Sequence, residues 1–584
     1  MCWSVRPFLS AVLLFAAPYA TAEPVTEPSA PQTPPLADVI HHPNAGREGI
    51  VVAEERLAAV VGADILAAGG NAVDAAVAVG FALAVTYPRA GNLAGGGFML
   101  VYDADTGETT AIDYRETAPA AASRDMFLDE NGDIDVESIL YTHKASATPG
   151  TVAGLLHAHE KFGALSRREV IAPAIRLAER GYALPYYSAA MFEASRGDLT
   201  RNAAARAEFF KPDGSGYLPG ETYRRPDLAR TLKAISRRGR DGFYKGWVAR
   251  AIANDMAAND GLISLDDLAN FTVKERTALR GAYRGVEIVT MPPPSSGGVH
   301  LIEMLNMIET RPPYESDGES AAQAHFLVEV MRRAYADRAQ LLGDPDFVSV
   351  PTSELTSKGY AAARIADFDP ARATPSEALY DGFAPSDESP DTTHFSVIDR
   401  DGNMVANTYT LNLSYGSGVV IPGTGLLMNN EMDDFAAAPG QPNFYGLVGN
   451  ERNAIAPGKR PLSSMTPALL FKEGEPWMAL GAPGGARIIT AVLNVALNVI
   501  DRDMNIADAV DEPRVHHQWL PDHILYEPGL SEDTKALLEA KGHKLEPFDW
   551  FARPNAALVE DGWYFGFDDE RMPGGAACSP DGGC

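Results

Sequence analysis

Apolar residues recur with helical spacing in the first part of the chain, from Ala53 to Val85. The stretch AAGGNAVDAA interrupts this pattern, and Asn71 or Asp74 is placed to cap the helix that restarts there. The apolar run from Ala75 to Val85 is too short to span a bilayer, and its small residues favour close packing. We therefore predict two helices, the second of them buried.

A Gly-rich turn and a hairpin follow, within the segment GNLAGGGFMLVYDADTGETTAIDYRETAP at 91–119. Thr106-Gly107 marks the bend of the predicted hairpin. Two charged residues, Arg115 and Glu116, come just after its second strand. This is the first strand-rich block of the chain.

The middle of the chain, 150–345, has mostly the pattern of amphipathic helices. A loop is predicted at about 367–391, because four prolines prevent regular structure there. Strand patterns return after Thr392, and a strong helical pattern covers about 487–500. Two strand-rich blocks thus flank a helical middle, which predicts an α+β fold of stacked sheets with helices outside.

Composition and charge narrow the choice of partners. The chain has 584 residues, of which 46% are apolar and 22% charged, as in ordinary folded proteins. Its formal net charge is -29 at pH 7. Because such a surface repels polyanions, we expect neither nucleic acid nor an anionic membrane as a partner.

The N-terminus has the pattern of a secretory signal peptide over residues 1–22. Arg6 precedes a short apolar run, and Ala20-Thr21-Ala22 fits the small-residue cleavage site. An uncleaved membrane anchor is the alternative interpretation. A Pro-, Thr- and Glu-rich lead-in follows at about 23–36. We therefore predict export, to the periplasm or to the medium.

Cysteine and histidine spacing gives no metal-binding motif. Cys578 and Cys584 lie in a Gly-rich tail, where an exported protein could pair them. His516, His517 and His523 lack a carboxylate spaced to complete a site. We predict no metal.

Residues around HFSVIDRDGNMVANTYTLN alternate as in a β-hairpin, with Asp401-Gly402 as a two-residue turn. That turn places Thr392 opposite Leu411, beside Thr410 and Asn412. One interpretation is a Thr-rich strand start on a solvent face. The other is that the chain is cut before Thr392, at the end of an acidic loop, and this threonine becomes a new N-terminus.

Three further segments place polar or Gly-rich groups next to predicted strands. NNEMDDF is acidic, KRPLSSM contains Ser463 and Ser464, and GAPGGARII contains Gly484 and Gly485. The last segment opens directly into the predicted helix. Backbone N–H groups at such a turn can point at an anion.

TTHFSVIDRDGNMVANTYTLNLSYG, beginning at Thr392, resembles the signature of the γ-glutamyltransferases, also called γ-glutamyl transpeptidases or glutathione hydrolases. The resemblance continues through NNEMDDF, KRPLSSM and GAPGGAR, and upstream through GNLAGGGFM and DYRETAP, so it covers essentially the whole chain after the signal. It implies the N-terminal nucleophile hydrolase fold, a four-layer αββα sandwich of two mostly antiparallel sheets flanked by helices. It also implies self-cleavage between Asp391 and Thr392, which gives a large subunit, 23–391, and a small subunit, 392–584, in one heterodimeric unit.

The resemblance implies roles for the catalytic residues. Thr392 would be the nucleophile in both cleavage and turnover, with Thr410 orienting it. Gly484 and Gly485 would supply the N–H groups of an oxyanion hole. A threonine hydroxyl needs a nearby base to act as a nucleophile, and the α-amine that cleavage frees can be that base. The ordinary pKa of an α-amine is about 8, close to the working pH.

The substrate-binding residues follow from the same resemblance. Arg115 would clamp the substrate's α-carboxylate, and Asp434 would bind its α-ammonium. Glu431 stands where the family often has Gln, and it should still accept from an ammonium. PGQPNFYGLVG resembles a lid loop, with Tyr445 as its gate. Three side chains would complete the contacts: Asn412, Ser463 and Ser464.

The implied activity is transfer of a γ-glutamyl group from glutathione or another γ-glutamyl amide to water, an amino acid or a peptide, without a cofactor. One alternative is a glutaryl or cephalosporin acylase of the same family. A glutaryl group has no α-amine, so Asp434 disfavours that alternative. The other is a catalytically inactive protein that binds γ-glutamyl peptides.

Overall fold

Two seven-stranded antiparallel sheets lie at the centre of the computed structural model, which describes residues 41–312, 320–380, 392–443, 447–550 and 552–584. The first sheet has the strand order β1-β20-β19-β15-β14-β9-β8, and the second β21-β2-β10-β11-β3-β4-β7. The predicted signal peptide and lead-in, Asp391 and Tyr445 lie outside the described residues.

The strands of the described residues are β1 Asn44–Gly46, β2 Gly49–Ala53, β3 Gly96–Asp103, β4 Glu108–Asp113, β5 Tyr182–Ala183, β6 Thr222–Tyr223, β7 Lys274–Thr277, β8 Leu279–Tyr283, β9 Val286–Thr290, β10 Thr393–Asp399, β11 Met404–Thr410, β12 Val420–Ile421, β13 Leu426–Leu427, β14 Ala468–Lys472, β15 Glu475–Gly481, β16 Val515–His516, β17 Ile524–Tyr526, β18 Leu545–Pro547, β19 Asn555–Glu560, β20 Trp563–Asp568 and β21 Ala576–Cys578.

The helices of the same residues are α1 Arg56–Ala67, α2 Ala72–Thr86, α3 Val136–Tyr141, α4 Thr151–Phe162, α5 Arg167–Arg180, α6 Tyr186–Ala194, α7 Arg196–Leu199, α8 Ala203–Phe209, α9 Pro226–Arg238, α10 Asp241–Tyr244, α11 Gly246–Ala258, α12 Leu265–Asn270, α13 Gly297–Ile308, α14 Ser320–Leu341, α15 Thr352–Leu355, α16 Lys358–Arg364, α17 Ile488–Arg502, α18 Ile506–Asp511 and α19 Glu532–Ala540.

Alternating side chains of the inner strands divide the core into two layers. In β2, Val51 and Ala53 pack against α1, α2, α4 and α5, whereas Ile50 and Val52 face the first sheet. The layer between the sheets continues into α13, α14 and α17 on the far side. Because successive strand side chains point to opposite faces, one strand contributes to both layers. The predicted four-layer αββα arrangement is confirmed.

The two predicted N-terminal helices are present as α1 and α2. Every residue of α2 is buried, as its uninterrupted apolar sequence predicts. Asn71 caps it by accepting from the N–H groups of Val73 and Asp74, and the Asp74 carboxylate accepts in return from the N–H of Asn71. The reciprocal pairs satisfy donors that a helix start leaves without intrahelical partners.

The prediction of a mostly helical middle missed the small β5-β6 sheet and three strands of the two large sheets. β7 joins the edge of the second sheet, and β8 and β9 complete one side of the first. They follow one another within 274–290, so each is too short for its alternation to stand out in a helical region. The middle segment therefore contributes to both sheets.

No helix in the described part of the chain is long and apolar enough to cross a membrane. At the C-terminus, a disulfide joins Cys578 to Cys584 and closes the tail after β21. The sequence allowed this pairing without deciding it.

Candidate active site

Thr392 lies at the entrance to β10, the inner strand that pairs with β2 on one side and β11 on the other. The observed register joins Thr393 to Tyr409 and Ile398 to Met404. Continued by one residue, this register sets Thr392 across from Thr410. The predicted pairing of Thr392 with Leu411 is therefore wrong by one position.

The turn of this hairpin explains the shifted register. Asp399 N–H donates to the carbonyl of Asn403 at 3.1 Å, which leaves a three-residue loop instead of the predicted two-residue turn. Gly402 takes φ 88°, a conformation that favours glycine. The Asp399 carboxylate accepts from the N–H groups of Asp401 and Asn403, each at 3.0 Å. These bonds stabilise the longer loop.

A cavity opens beside Thr392. Nine of the predicted site residues line it, although the chain separates them by up to 370 positions between Arg115 and Gly485: Arg115, Thr392, Thr410, Asn412, Glu431, Asp434, Ser463, Ser464 and Gly485. Leu447, Met465, Ala486 and Ile488 complete the wall. Gly484 immediately precedes this lining.

Arg115 lines the cavity and is fully buried just after β4. Its Nη1 donates to Glu431 and its Nη2 to Asp434, while Nε donates to the carbonyl of Pro461 at 3.3 Å. Burial alone would lower the pKa of Arg115, but the surrounding carboxylates outweigh burial and raise it. The guanidinium is therefore charged at every working pH.

More negative charge surrounds Arg115 than one guanidinium neutralises. Glu116 is also fully buried, with Oε2 at 3.8 Å from Nη1 of Arg115. Burial raises the pKa of Glu116 to about 7 and raises the pKa of Glu431 well above its ordinary value, although Arg115 opposes both shifts. In the sequence, Glu116 stands out only as a charge after a strand, because its burial depends on contacts made by the fold.

The acidic residues reach Arg115 from a single short turn. Glu431–Asp434 forms a 3₁₀ turn, and Asn429 fixes its start by accepting from the Glu431 N–H at 3.0 Å. Asn453 donates to the carbonyl of Asp434 at 2.7 Å. Both carboxylates are thus held on the same side of the guanidinium.

The Ser463-Ser464 turn forms a second polar wall. Ser463 N–H donates to the carbonyl of Pro294 at 2.9 Å, and its carbonyl accepts from both N–H and Oγ of Ser296 at 2.7 Å. The segment before α13 therefore anchors the turn. The helical pattern of the middle segment gave no indication of this role.

Gly484 and Gly485 lie between β15 and α17, with φ 138° and 58°. Both values favour glycine, because an L side chain is strained there. A short 3₁₀ turn, Gly485–Arg487, leads into α17. N–H groups in a first helical turn have no intrahelical acceptor, so they can face developing negative charge.

No histidine or lysine of the described residues lines the cavity. His394 is two positions from Thr392, yet it is buried and bonded to Thr408 Oγ1 at 2.8 Å and Ser396 Oγ at 3.0 Å. Burial lowers its pKa to about 3, so the ring is neutral at pH 7. It packs closely against Gly481, where a Cβ would lie 2.2 Å from the ring.

One group in the described part of the chain has metal-like geometry: His325, Glu329 and His543. His325 Nδ1 lies 2.7 Å from Nε2 of His543, as in a hydrogen-bonded pair. Glu329 accepts from Arg333 at 2.6 Å and from the N–H of Thr374 at 3.0 Å. These contacts engage the three side chains with one another and with a guanidinium that repels cations. None of the three lines the cavity beside Thr392.

Two stacked antiparallel sheets between helices, with a threonine at the start of an inner strand, define the class of N-terminal nucleophile hydrolases. The family model described as Gamma-glutamyltranspeptidase matches residues 58–579, and the chain belongs to this family.

Relatives agree with this assignment. A "Glutathione hydrolase proenzyme" of Escherichia coli (strain K12) is 46% identical over 548 residues, covering 93% of this chain and 94% of the relative. An "Acylase ACY 1 proenzyme" of Pseudomonas sp. (strain SE83) is 40% identical over 510 residues, covering 86% and 88%.

Two solved structures show the same fold. The γ-glutamyltranspeptidase of Helicobacter pylori has a TM-score of 0.56 and 41% identity, covering 59% of this chain and 97% of its own. A cephalosporin acylase from Bacillus halodurans has a TM-score of 0.81 and 26% identity, covering 95% of this chain and 99% of its own.

Proposed function

We propose that the protein is an exported, self-cleaving γ-glutamyl hydrolase and transferase that acts on glutathione and other γ-glutamyl amides. The observation that carries the proposal is the meeting of Thr392, Arg115 and Asp434 in one cavity. A nucleophile, a carboxylate-binding cation and an ammonium-binding carboxylate are the groups needed to hold a γ-glutamyl donor. The identity to glutathione hydrolase proenzymes supports this substrate class.

Cleavage of the bond between Asp391 and Thr392 is the first step of the proposed mechanism. Thr392 Oγ attacks its own preceding carbonyl, and hydrolysis of the resulting ester frees the α-amine of Thr392. That amine then serves as the base for turnover. The absence of histidine and lysine from the described cavity lining supports this role.

In turnover, Thr392 Oγ attacks the γ-carbonyl of the donor and its proton passes to the α-amine. The tetrahedral oxyanion is stabilised by the N–H groups of Gly484 and Gly485. Collapse breaks the amide bond, and the leaving amine takes the proton. Water or an acceptor amine then attacks the γ-glutamyl ester and restores the Thr392 hydroxyl. Thr410, across the hairpin, orients the nucleophile.

The zwitterionic end of the donor binds around Arg115. Its α-carboxylate accepts from Arg115 and from the hydroxyls of Ser463 and Ser464, and its α-ammonium donates to Asp434. Asn412 and Glu431 make the remaining proposed contacts, and Tyr445 covers the site.

The two cleaved chains remain one heterodimer in this proposal. β10 of the small subunit lies between β2 of the large subunit and β11, and β11 pairs in turn with β3 of the large subunit. The first sheet likewise contains strands from both sides of the cleavage point. Separation would break backbone pairing in both sheets. Export is supported by the signal-peptide pattern and by the disulfide between Cys578 and Cys584.

The acylase alternative has support from the acylase relatives. Against it, Asp434 lies in the cavity and is held by Arg115, and a glutaryl donor has no ammonium for this carboxylate. Failure of the purified chain to cleave would support the binding-protein alternative.

Intact mass of the purified protein tests the proposal. Wild type should give a small subunit of 62.4 kDa × 193/584, about 21 kDa, that begins Thr-Thr-His-Phe. Thr392→Ala should stay whole, whereas the control Thr393→Ala should still cleave. Release of the amine from a γ-glutamyl amide by the cleaved protein is the second readout. A wild-type chain that stays whole under every folding condition would favour the binding protein.

A further inference from the structure

Arg338, on α14, reaches the back of the Ser463-Ser464 turn. Its Nη2 donates to Ser464 Oγ at 3.1 Å and its Nε donates to Ser296 Oγ at 2.9 Å. Arg338 is buried, with 5% of its surface exposed, and it is not part of the lining of the cavity beside Thr392. It therefore contacts residues that form the cavity wall.

The direction of these bonds fixes the role of the Ser464 hydroxyl. A guanidinium only donates, so the Ser464 oxygen must accept from Arg338. The hydroxyl has one proton of its own, which remains to be donated, and Ser464 lines the cavity. Ser463 is arranged similarly, because its Oγ accepts from the N–H of Met465 at 3.2 Å. Two hydroxyls thus present protons to the same space.

The second arm of the guanidinium fixes the position of the turn. Ser296 Oγ accepts from Arg338 and donates to the carbonyl of Ser463 at 2.7 Å. One planar side chain therefore holds both the orientation of the Ser464 hydroxyl and the backbone that carries it. A lysine ammonium is a single point of charge and cannot reproduce the fork.

We propose that Arg338 is a positioning residue for donor recognition, which makes Ser464 a hydrogen-bond donor to the free α-carboxylate of the γ-glutamyl group. The inference rests on the proposed function and adds to it. Arg338 acts without touching the substrate, and its effect passes through Ser464.

A double-mutant cycle tests this coupling. The variants are Arg338→Met, Arg338→Lys, Ser464→Ala and Ser464→Ala combined with each Arg338 change. The measured quantities are KM and kcat for γ-L-glutamyl-p-nitroanilide, and the inhibition constant of L-glutamate. Because one hydrogen bond to a charged group is at stake, Arg338→Met should raise KM and the glutamate inhibition constant about 10-fold or more, with a smaller change in kcat. Arg338→Lys should recover part of the loss.

In the Ser464→Ala background, both Arg338 changes should have a clearly smaller effect, limited to the loss of the bond to Ser296. Equal effects with and without the Ser464 hydroxyl, or no effect in either background, would overturn the inference. Self-cleavage, read by intact mass, shows that each variant has folded, and if Arg338→Met fails this check, Arg338→Lys carries the cycle. Arg280→Lys, an exposed ion-pair residue on β8, is the matched control and should match wild type.

The two proposals fail in distinguishable ways. If wild type releases no nitroaniline, the proposed function fails. Calorimetric binding of L-glutamate to the same set of variants then reads the coupling between Arg338 and Ser464 without turnover. Absence of coupling in that measurement, or no detectable glutamate binding by wild type, also overturns the inference.

Discussion

Arg115 donates a hydrogen bond from Nη2 to Oδ2 of Asp434, although the two residues lie on opposite sides of the proposed cleavage point. The bond is largely shielded from solvent, with Arg115 fully buried and the Asp434 side chain 15% exposed. Under the proposed function, recognition of the substrate's zwitterionic end depends on both subunits. In that proposal, Arg115 shares its N–H donors between Asp434 and the α-carboxylate of the substrate. The two charges of the substrate then lie next to two opposite charges of the protein.

Replacing Asp434 by Asn should separate γ-glutamyl from glutaryl donors. We expect kcat/KM for a γ-glutamyl anilide to fall at least about 30-fold, because a buried charge partner of the α-ammonium is lost. A glutaryl anilide lacks that ammonium and should lose far less. Steady-state kinetics with both donors makes the comparison.

The neighbouring Asp433→Asn is the control for Asp434→Asn. Asp433 is in the same turn but is not among the residues lining the cavity beside Thr392, so its replacement should change KM much less. Equal losses on both donors for Asp434→Asn would mean that Asp434 supports the site rather than binding the ammonium.

Glu116 should make the protein less stable as the pH rises toward neutrality. Burial raises its pKa from an ordinary value of 4.5 to about 7, so between these values the folded state keeps a proton that the unfolded chain has released. Stability therefore falls as pH rises through this window, by at most about 1.4 kcal/mol per pH unit for one group. Glu116→Gln mimics the protonated form and should remove this contribution.

Thermal unfolding at pH 5 and pH 7.5, at one scan rate, measures the effect of Glu116→Gln. Relative to wild type, Glu116→Gln should have a higher unfolding temperature at pH 7.5 than at pH 5. Glu287→Gln, on the exposed pair with Arg280, controls for loss of a surface carboxylate. The same difference at both pH values would contradict the expected shift.

The sequence predicted the two strand-rich blocks and the residues that meet in the cavity, but not the short strands of the middle segment or the register of the hairpin at Thr392. Alternation around Thr392 correctly indicated a hairpin. Its register depended on Asp399, whose carboxylate accepts from two loop N–H groups and stabilises a longer turn. A two-residue turn and a three-residue turn differ by one position in register, and side-chain hydrogen bonding decided between them.

Residues behind the site were not predictable in the same way. Arg338 lies 126 positions from Ser464, and nothing in the pattern of α14 distinguishes it from the neighbouring arginines. The residues of the site itself were found because their motifs resemble a family, whereas Arg338 and Ser296 lie in a helical segment and a loop outside those motifs. Their connection to the site becomes visible only through the hydrogen bonds of the folded structure.

Loss of the disulfide should lower stability without abolishing self-cleavage. Cys578 ends β21, which pairs with β2 at the edge of the second sheet, and the bridge closes a short loop to Cys584. Chain-entropy reasoning gives about 2 kcal/mol for a loop of this size. Cys584→Ser should therefore unfold at a lower temperature than oxidised wild type, and dithiothreitol should move wild type toward the variant. If Cys584→Ser and wild type unfold at the same temperature, and dithiothreitol leaves the unfolding temperature of wild type unchanged, the bridge does not form in solution.

Gly484→Ala should lower kcat well beyond what its loss of thermal stability explains. Gly484 has φ 138°, which an alanine adopts only with strain, so the N–H groups beside Thr392 should move out of position. Loss of one oxyanion donor lowers kcat about 100-fold or more in other enzymes, with little change in KM.

Gly474→Ala is the matched control, because Gly474 has φ 87° in the turn between β14 and β15 and an added Cβ would meet open space there. Both variants should lose similar thermal stability, whereas only Gly484→Ala should lose kcat. A Gly484→Ala protein with wild-type kcat would exclude this turn as the oxyanion hole, and the N–H donors would then have to come from elsewhere along the cavity.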